Sequence, residues 1–220
     1  MYHNAGSSAA RQAVPATGSA LVTSQAQNEA LRTSVRGAYS AIAASPAAEH
    51  PIPVGRQLAL GVGYPAERLA RMPAVAVDAF AGVGAVSIFA QLPPGSRVLD
   101  LGCGAGLDSL IAAERVGAEG RVIGVDFSES MLARASEAAA EAGVGNLRLC
   151  LADSERLPLR NSSIDVALVN GIFNLNPRRQ LLFQELGRVV REGGAVYAAE
   201  LILREALSDA ERGDEANWFA

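Results

Sequence analysis

A glycine-rich turn near the middle of the chain carries the first residues whose types and spacing could do chemistry. Residues 98–106 read Val-Leu-Asp-Leu-Gly-Cys-Gly-Ala-Gly and lead from a predicted strand into a predicted helix. Glycines at Gly102, Gly104 and Gly106 let the backbone approach a ligand more closely than a β-carbon would allow, and amides at a helix start can bind anions. Taken alone the turn is weak evidence, because ordinary tight turns share this composition.

Polar residues also close the next three predicted strands. Asp126 follows the second strand, where a carboxylate can accept both ribose hydroxyls of a nucleoside. Asp153 follows the third and can accept a hydrogen bond from an adenine amino group, while the Ser154 N–H faces a ring nitrogen. Asn170 ends the fourth and could hold an amino-acid group. The alternatives are an acid at a helix start for Asp126 and a turn residue for Asp153.

The elements that must position these residues alternate strand with helix, which predicts a parallel α/β sheet. Ligands of such sheets bind beyond the carboxyl ends of the strands. The predicted strands are 97–101, 121–125, 147–151, 164–169 and 195–202. Apolar faces on the intervening helices comprise Leu107, Leu110, Ile111 and Val116, then Met131, Leu132, Ala135 and Ala139, then Leu181, Leu182, Leu186 and Val189, and Gly193 and Gly194 are expected to end the last helix.

The first 92 residues have a different organisation. Residues 1–27 are rich in Ala, Ser, Gln and Gly and are predicted to be a disordered tail. A helix is expected to begin with Asn28 as its N-cap and to carry an apolar face. Residues 46–65 predict a loop, followed by a short helix that begins at Pro65. We therefore expect a helical cap or lid over 28–92 and a core domain over 93–220.

Composition excludes several classes of protein. The formal net charge of −4 offers no basic field for nucleic acid. Two cysteines, Cys103 and Cys150, are too few for the disulfide framework of a small secreted domain, which favours a reduced, cytoplasmic setting. The longest apolar stretch, residues 74–90, is too short to span a bilayer, so we expect no membrane partner. No set of residues predicts a metal site.

Together these motifs resemble the class I S-adenosylmethionine (SAM)-dependent methyltransferases over residues 95–203. A nicotinamide site is the main alternative, but it requires a third glycine where this chain has Leu107. The resemblance implies a Rossmann-like α/β fold with a mostly parallel sheet, helices on both faces and SAM as cofactor. The residues that it implies for cofactor binding are Asp100, Gly102, Cys103, Gly104, Gly106, Asp126, Phe127, Ala152, Asp153, Ser154 and Asn170.

Finer features resemble the arsenite methyltransferase family, which grips trivalent arsenic with cysteine thiolates. They include Tyr39, the stretch 60–65 and the stretch 170–175. Two cysteines of that family are replaced here, by Val83 within Gly-Val-Gly and by Gly171 after Asn170. The implied acceptor is a small molecule, with Tyr39 and Tyr64 as candidate lining residues. Core packing is the alternative for both tyrosines.

The end of the chain also departs from the resemblance. The fold normally adds two antiparallel strands after the fifth, whereas this sequence stops at Ala220, so we expect a C-terminally truncated core with an open sheet edge. A hypothesis for the stop is a UGA codon read as selenocysteine after Ala220. A non-catalytic SAM-binding module and an oligomer paired through the fifth strand remain as alternative readings of the chain.

Overall fold

A five-stranded parallel sheet forms the centre of the molecule. The computed structural model describes residues 25–202. The strands run in the order β3-β2-β1-β4-β5. Strands β2 and β3 therefore lie on one side of β1, and β4 and β5 lie on the other. Their bounds are β1 Arg97–Leu101, β2 Arg121–Asp126, β3 Leu147–Leu151, β4 Ile164–Asn170 and β5 Val190–Ala199. Strand order reverses between β1 and β4, and ligands of such sheets bind at this switch point.

Helices cover both faces of the sheet, which confirms the predicted fold class. Among the described residues, one long helix and then four short helices come before the first strand. The helices are α1 Gln25–Ala44, α2 Arg56–Gly61, α3 Ala66–Leu69, α4 Ala74–Asp78, α5 Val86–Phe89, α6 Leu107–Val116, α7 Glu129–Glu141 and α8 Arg179–Val189. Because side chains alternate across a strand, Val98 packs with Leu110 of α6 on one face while Leu99 packs with Leu182 of α8 on the other.

The N-terminal boundaries differ from the sequence expectation. Helix α1 already includes Gln25, so Asn28 lies inside the helix and is not its N-cap. Helix α2 lies within the stretch 46–65 that was predicted to be a loop. Its residues Leu58 and Ala59 pack into an apolar cluster, and this tertiary contact outweighs the proline and glycine content around it. Residues 1–24 of the predicted tail lie outside the described residues.

The last helix and strand also meet earlier than expected. Helix α8 ends at Val189 and β5 begins at Val190, so Gly193 and Gly194 lie within the strand and do not end the helix. The register of β5 against β4 shifts between Ile164 and Val166, and Gly193 with φ of 73° provides the irregularity. On α8, Leu181 is exposed and does not join the apolar face.

β5 lies at one edge of the described sheet. The predicted truncation and the expectations for residues 203–220 lie outside the described residues. Within residues 25–202, no helix combines the length and the hydropathy needed to cross a bilayer.

Candidate cofactor and acceptor site

A cavity opens at the carboxyl ends of the strands, at the switch point between β1 and β4. Ten of the eleven sequence-predicted cofactor residues line it. They are Asp100, Gly102, Cys103, Gly104, Asp126, Phe127, Ala152, Asp153, Ser154 and Asn170. Residues that are up to 70 positions apart in the chain therefore meet at one cavity.

The glycine turn forms the floor of this cavity between β1 and α6. Gly102 and Gly104 have φ of 76° and 51°, a conformation that side chains with a β-carbon rarely adopt. A β-carbon on Gly102 would lie 2.5 Å from Ile172 Cγ2, whereas no atom lies within 4 Å of the corresponding position on Gly104. Gly102 thus allows the loop after β4 to pack on the turn, and Gly104 leaves open space beside the cavity.

Gly106 is the eleventh predicted residue, and the structure places it away from the cavity. It precedes α6 with φ of 89°, and a β-carbon there would lie 3.1 Å from Ala135 Cβ of α7. Gly106 is thus outside the residues that line the cavity, and its contact with the cofactor stays a prediction. This glycine is required by the packing of the turn against α7.

Asp126 lies beside the turn and is 7% exposed. One carboxylate oxygen accepts the N–H of Gly104 at 2.8 Å, and the other accepts the N–H of Ser128 at 2.8 Å. Burial raises the pKa of Asp126 above its ordinary value, although the backbone N–H groups of Ser128 and Gly104 oppose that shift. The N–H of Phe127 also interacts with this carboxylate, which keeps lone-pair capacity for a ligand hydroxyl. Ser128 caps α7 by accepting the N–H of Met131, so Asp126 is not needed as the cap.

Asp153 is held by α1 from across the cavity rim. Its Oδ2 pairs with the Arg32 guanidinium at 2.5 Å, and its Oδ1 accepts the Glu155 N–H at 3.0 Å. Partial burial opposes ionisation, but that N–H and Arg32 outweigh it and hold the pKa of Asp153 below its ordinary value. Arg32 also contacts Glu155, which a second arginine, Arg178, approaches at 2.5 Å. Sequence reasoning missed Arg32, although it precedes Val35 and Tyr39 at helical spacing.

The side chain of Asn170 is fully engaged inside the protein. Its oxygen accepts the N–H groups of Val83 and Gly84, and its amide nitrogen donates to the Gly84 carbonyl and to Asp108 Oδ2. All the hydrogen-bonding groups of the amide are thereby used. We therefore assign the side chain to positioning the segment 82–84, and a contact to the cofactor stays a prediction for its main chain.

Tyr64 lies in the core and not in the cavity. It is 2% exposed, donates a 2.5 Å hydrogen bond to Asp108 Oδ1 and packs edge-on against Phe80. Tyr64 does not line this cavity, because its phenol reaches the buried carboxylate of α6, and a role in acceptor binding stays a prediction. Tyr39, the other candidate, does line the cavity. Burial, followed by the charges of Asp126 and Glu200, raises the pKa of Tyr39 above its ordinary value.

The loop after β4 forms the opposite part of the cavity wall. Ile172, Leu175 and Asn176 line the cavity, and Phe80 adds an aromatic face from the N-terminal segment. Glu200 at the end of β5 accepts the N–H of Phe173 at 2.7 Å and therefore fixes the conformation of this loop. No local pattern points to Glu200, because the backbone N–H that it accepts lies 27 positions away.

No thiol is available to an acceptor among the described residues that line the cavity. The Cys103 sulfur points toward β2, 3.0 Å from where a Gly124 β-carbon would lie, and burial raises the pKa of its thiol well above the ordinary value. Cys150 packs beside the apolar cluster of α8. Across residues 25–202, no three acidic, histidine or cysteine side chains are grouped so as to hold a metal ion.

Comparison with known proteins identifies the family. The family model described as methyltransferase domain matches residues 92–218, more than half of the chain. The chain belongs to the methyltransferase domain family. This confirms the class I SAM-dependent resemblance, and the cofactor of the family is S-adenosylmethionine. The residues present fit that cofactor, because the cavity combines a glycine cradle open at Gly104 with an Asp126 carboxylate that has lone pairs to spare.

Within this family, the sequence is close to arsenite methyltransferases. That of Halobacterium salinarum is 38% identical over 148 residues, which cover 67% of this chain and 38% of that protein. The demethylmenaquinone methyltransferase of Geobacillus kaustophilus is 35% identical over 107 residues, which cover 48% of this chain and 45% of that protein. The chain thus spans less than half the length of these relatives.

One solved structure supports the same comparison. An arsenic(III) S-adenosylmethionine methyltransferase from Chlamydomonas reinhardtii superposes with a TM-score of 0.57 and 27% identity, over 76% of this chain and 57% of that one.

Proposed function

We propose that this chain binds SAM and transfers its methyl group to a small-molecule acceptor. The observation that carries the proposal is the contact between the glycine turn and the carboxylate after β2. The N–H of Gly104 donates to Asp126 Oδ2 at 2.8 Å, so both groups face one cavity at the switch point of the sheet. A turn that only reversed the chain would not need a buried carboxylate with unused lone pairs beside it.

The proposed roles follow the order of the groups along the cavity. Asp126 binds the ribose hydroxyls, and Phe127 contributes an apolar surface beside it. Asp153, fixed by Arg32, accepts from the adenine amino group while the Ser154 N–H meets a ring nitrogen. The turn at 102–104 takes the amino-acid arm. Residues 28–92 act as a cap over the core that begins at residue 93, since Tyr39 and Phe80 line the same cavity as the turn.

The acceptor chemistry is constrained by what the described cavity wall contains. The bound cofactor supplies a sulfonium methyl group for in-line displacement, and this chain supplies positioning and exclusion of water. No histidine lines the cavity within residues 25–202, and His50 bonds to the Ser45 carbonyl on the surface. We therefore propose an acceptor with a free lone pair that needs no general base. Arsenite is the first acceptor to test, because the relatives of this chain include arsenite methyltransferases that are 34% and 38% identical to it.

Cofactor binding is tested by calorimetric titration with S-adenosylhomocysteine, the demethylated product. The parent chain is compared with Asp126→Ala, which should bind about 1–3 kcal/mol more weakly because two hydrogen bonds to a charged acceptor are lost. Glu119→Gln, an exposed acid on the turn before β2, is the matched control and should bind like the parent chain. Equal affinity of the parent and Asp126→Ala would overturn the proposed site.

Turnover is tested separately. The chain is incubated with labelled SAM and with trivalent arsenicals, small thiols and a demethylmenaquinone, and methylated products are measured by mass spectrometry. Demethylmenaquinone is included because a demethylmenaquinone methyltransferase of Listeria monocytogenes is 38% identical to this chain over 105 residues. Binding without any methylated product would favour the alternative of a non-catalytic SAM-binding module. That alternative is also favoured by Val83 and Gly171, which occupy the positions at which the resemblance to arsenite methyltransferases implies cysteines.

A further inference from the structure

Three buried carboxyl groups surround the glycine turn. Asp100 at the end of β1 is 2% exposed, Asp108 in the first turn of α6 is 6% exposed, and Asp126 is 7% exposed. None of the three forms an ion pair with a described residue. Arg32 is the basic side chain among the described cavity-lining residues, and it is engaged by Asp153 and Glu155. The protein therefore gathers negative charge here without a balancing cation, which is costly in a buried setting.

The three groups differ in how well the protein stabilises their charge. The Asp108 carboxylate accepts from Tyr64, from the Ser87 N–H and from Asn170. Asp126 accepts from two backbone N–H groups, as described above. Asp100 accepts from the Ser109 hydroxyl at 2.6 Å, and it lies in the field of the other two carboxyls. A proton shared by the cluster is therefore best placed on Asp100.

The surroundings of Asp100 are acidic or neutral on every element packed against it. Asp108 faces it from α6 and Asp126 from the end of β2, while Cys103 lies in the turn. Tyr64 approaches from the segment before α3. Burial first, and then the charge of Asp108, raises the pKa of Asp100 to about 8. At neutral pH the carboxyl is thus mostly protonated when no cation is near.

The proposed cofactor carries the cation that this cluster lacks. Its amino-acid arm has an ammonium group, which the demethylated product retains. We propose that entry of this arm displaces one proton from Asp100, so that the carboxyl O–H bond breaks, the proton leaves to solvent and the carboxylate pairs with the ammonium. This inference rests on the proposed function, because it requires the arm to lie beside the turn.

Release of a proton makes binding depend on pH in a defined direction. Binding is favoured where the proton is lost more easily, so affinity should rise about tenfold from pH 6 to pH 7 and level off above about pH 8. A nucleoside without the arm, such as 5′-methylthioadenosine, should bind with no such dependence. Its contacts end at the sulfur and bring no cation to Asp100.

Proton release is measured directly by calorimetry at pH 7 in phosphate and in Tris, two buffers with small and large ionisation enthalpies. S-Adenosylhomocysteine should show a binding enthalpy that differs between the buffers by an amount equivalent to about 0.9 proton per site, the protonated fraction of a group with a pKa one unit above the pH. 5′-Methylthioadenosine should show no difference. Buffer-independent binding of S-adenosylhomocysteine would overturn the inference and leave the proposed function standing, whereas absence of all binding would overturn both.

Substitutions test whether Asp100 is the group that releases the proton when the ligand binds. Asp100→Asn should abolish the buffer difference, and Glu119→Gln should retain it. Ser109→Ala removes the hydrogen bond that favours the Asp100 carboxylate, so the rise of affinity with pH should extend to a higher pH than in the parent chain. Ser109→Ala keeps the Asp100 carboxyl and therefore provides the test if Asp100→Asn does not fold. Proton release that persists unchanged in Asp100→Asn, or a pH profile unchanged in Ser109→Ala, would contradict the assignment.

Discussion

The Cβ of Val83 lies 3.9 Å from the position that a β-carbon on Gly171 would occupy. These are the two positions at which the resemblance to arsenite methyltransferases predicts cysteine. The separation falls within the range of about 3.5–4.5 Å that joins the β-carbons of a disulfide. The fold therefore brings the two positions together, and this chain fills them with an isopropyl group and a hydrogen atom.

Restoring both thiols should create a site for trivalent arsenic. We expect Val83→Cys with Gly171→Cys to bind phenylarsine oxide about 100-fold more tightly than either single variant, because the second As–S bond forms within one molecule. Gly171 has φ of 73°, so its cysteine should cost about 1–2 kcal/mol of stability. Calorimetry and thermal melts measure the two effects. A double variant no tighter than Val83→Cys alone would show that the two side chains cannot reach one arsenic atom.

Arg32 of α1 forms ion pairs with Asp153 and Glu155 at the cavity rim. Its loss in Arg32→Gln frees both Asp153 and Glu155, so S-adenosylhomocysteine should bind about 2- to 5-fold more weakly, as expected for a partly exposed ion pair. Arg71→Gln, which removes a guanidinium that is 60% exposed and 3.9 Å from Glu114, should have no effect.

Ionic strength distinguishes an electrostatic contribution of Arg32 to binding from a contribution through packing. Raising the salt concentration should weaken binding by the parent chain more than binding by Arg32→Gln, because screening acts on the pair that the variant lacks. Parallel salt dependence of the two proteins would show that Arg32 acts only through contact.

The sequence was sufficient for those parts of the site that depend on local pattern and on a general rule of sheets. The alternation of strand and helix segments located β1 to β4 to within one residue, and the rule that ligands lie beyond carboxyl ends selected Asp126 and Asp153. The same local reasoning failed at Gly193 and Gly194. Paired glycines suit a helix end and a strand irregularity equally well, and only pairing with β4 decides between them.

Long-range partners explain the remaining differences. Nothing local to Asn170 indicates that its amide is used by residues 83 and 84, 86 to 87 positions earlier. Tyr64 is similar, because its distinction from Tyr39 depends on a carboxylate 44 positions away that only the folded chain brings within reach. Helical spacing did contain the signal for Arg32, on the face that carries Val35 and Tyr39, but a charged residue there is more often solvated.

The buried hydrogen bond of Tyr64 gives a prediction about stability. Tyr64→Phe leaves the ring packed against Phe80 but removes a donor to Asp108, so we expect a loss of about 1–3 kcal/mol in the free energy of unfolding. Tyr197→Phe is the matched control, since that ring is partly exposed and pairs with Phe89. Urea unfolding measures both. A loss no larger than that of Tyr197→Phe would indicate that the bond between Tyr64 and Asp108 contributes little.

The buried carboxyl of Asp100 predicts how stability responds to pH. Because its pKa is raised in the folded chain, the native state holds this proton to higher pH than the unfolded chain does, and the stability that it contributes is lost between about pH 4 and pH 8. Asp100→Asn carries no charge at any pH. It should therefore come closest to the parent chain at pH 4, and its advantage should grow to on the order of 5 kcal/mol at pH 8, or roughly 2–4 °C in Tm per kcal/mol. Thermal melts at the two pH values measure this difference, and a difference of the same size at both would mean that the gain comes from packing and not from the lost ionisation.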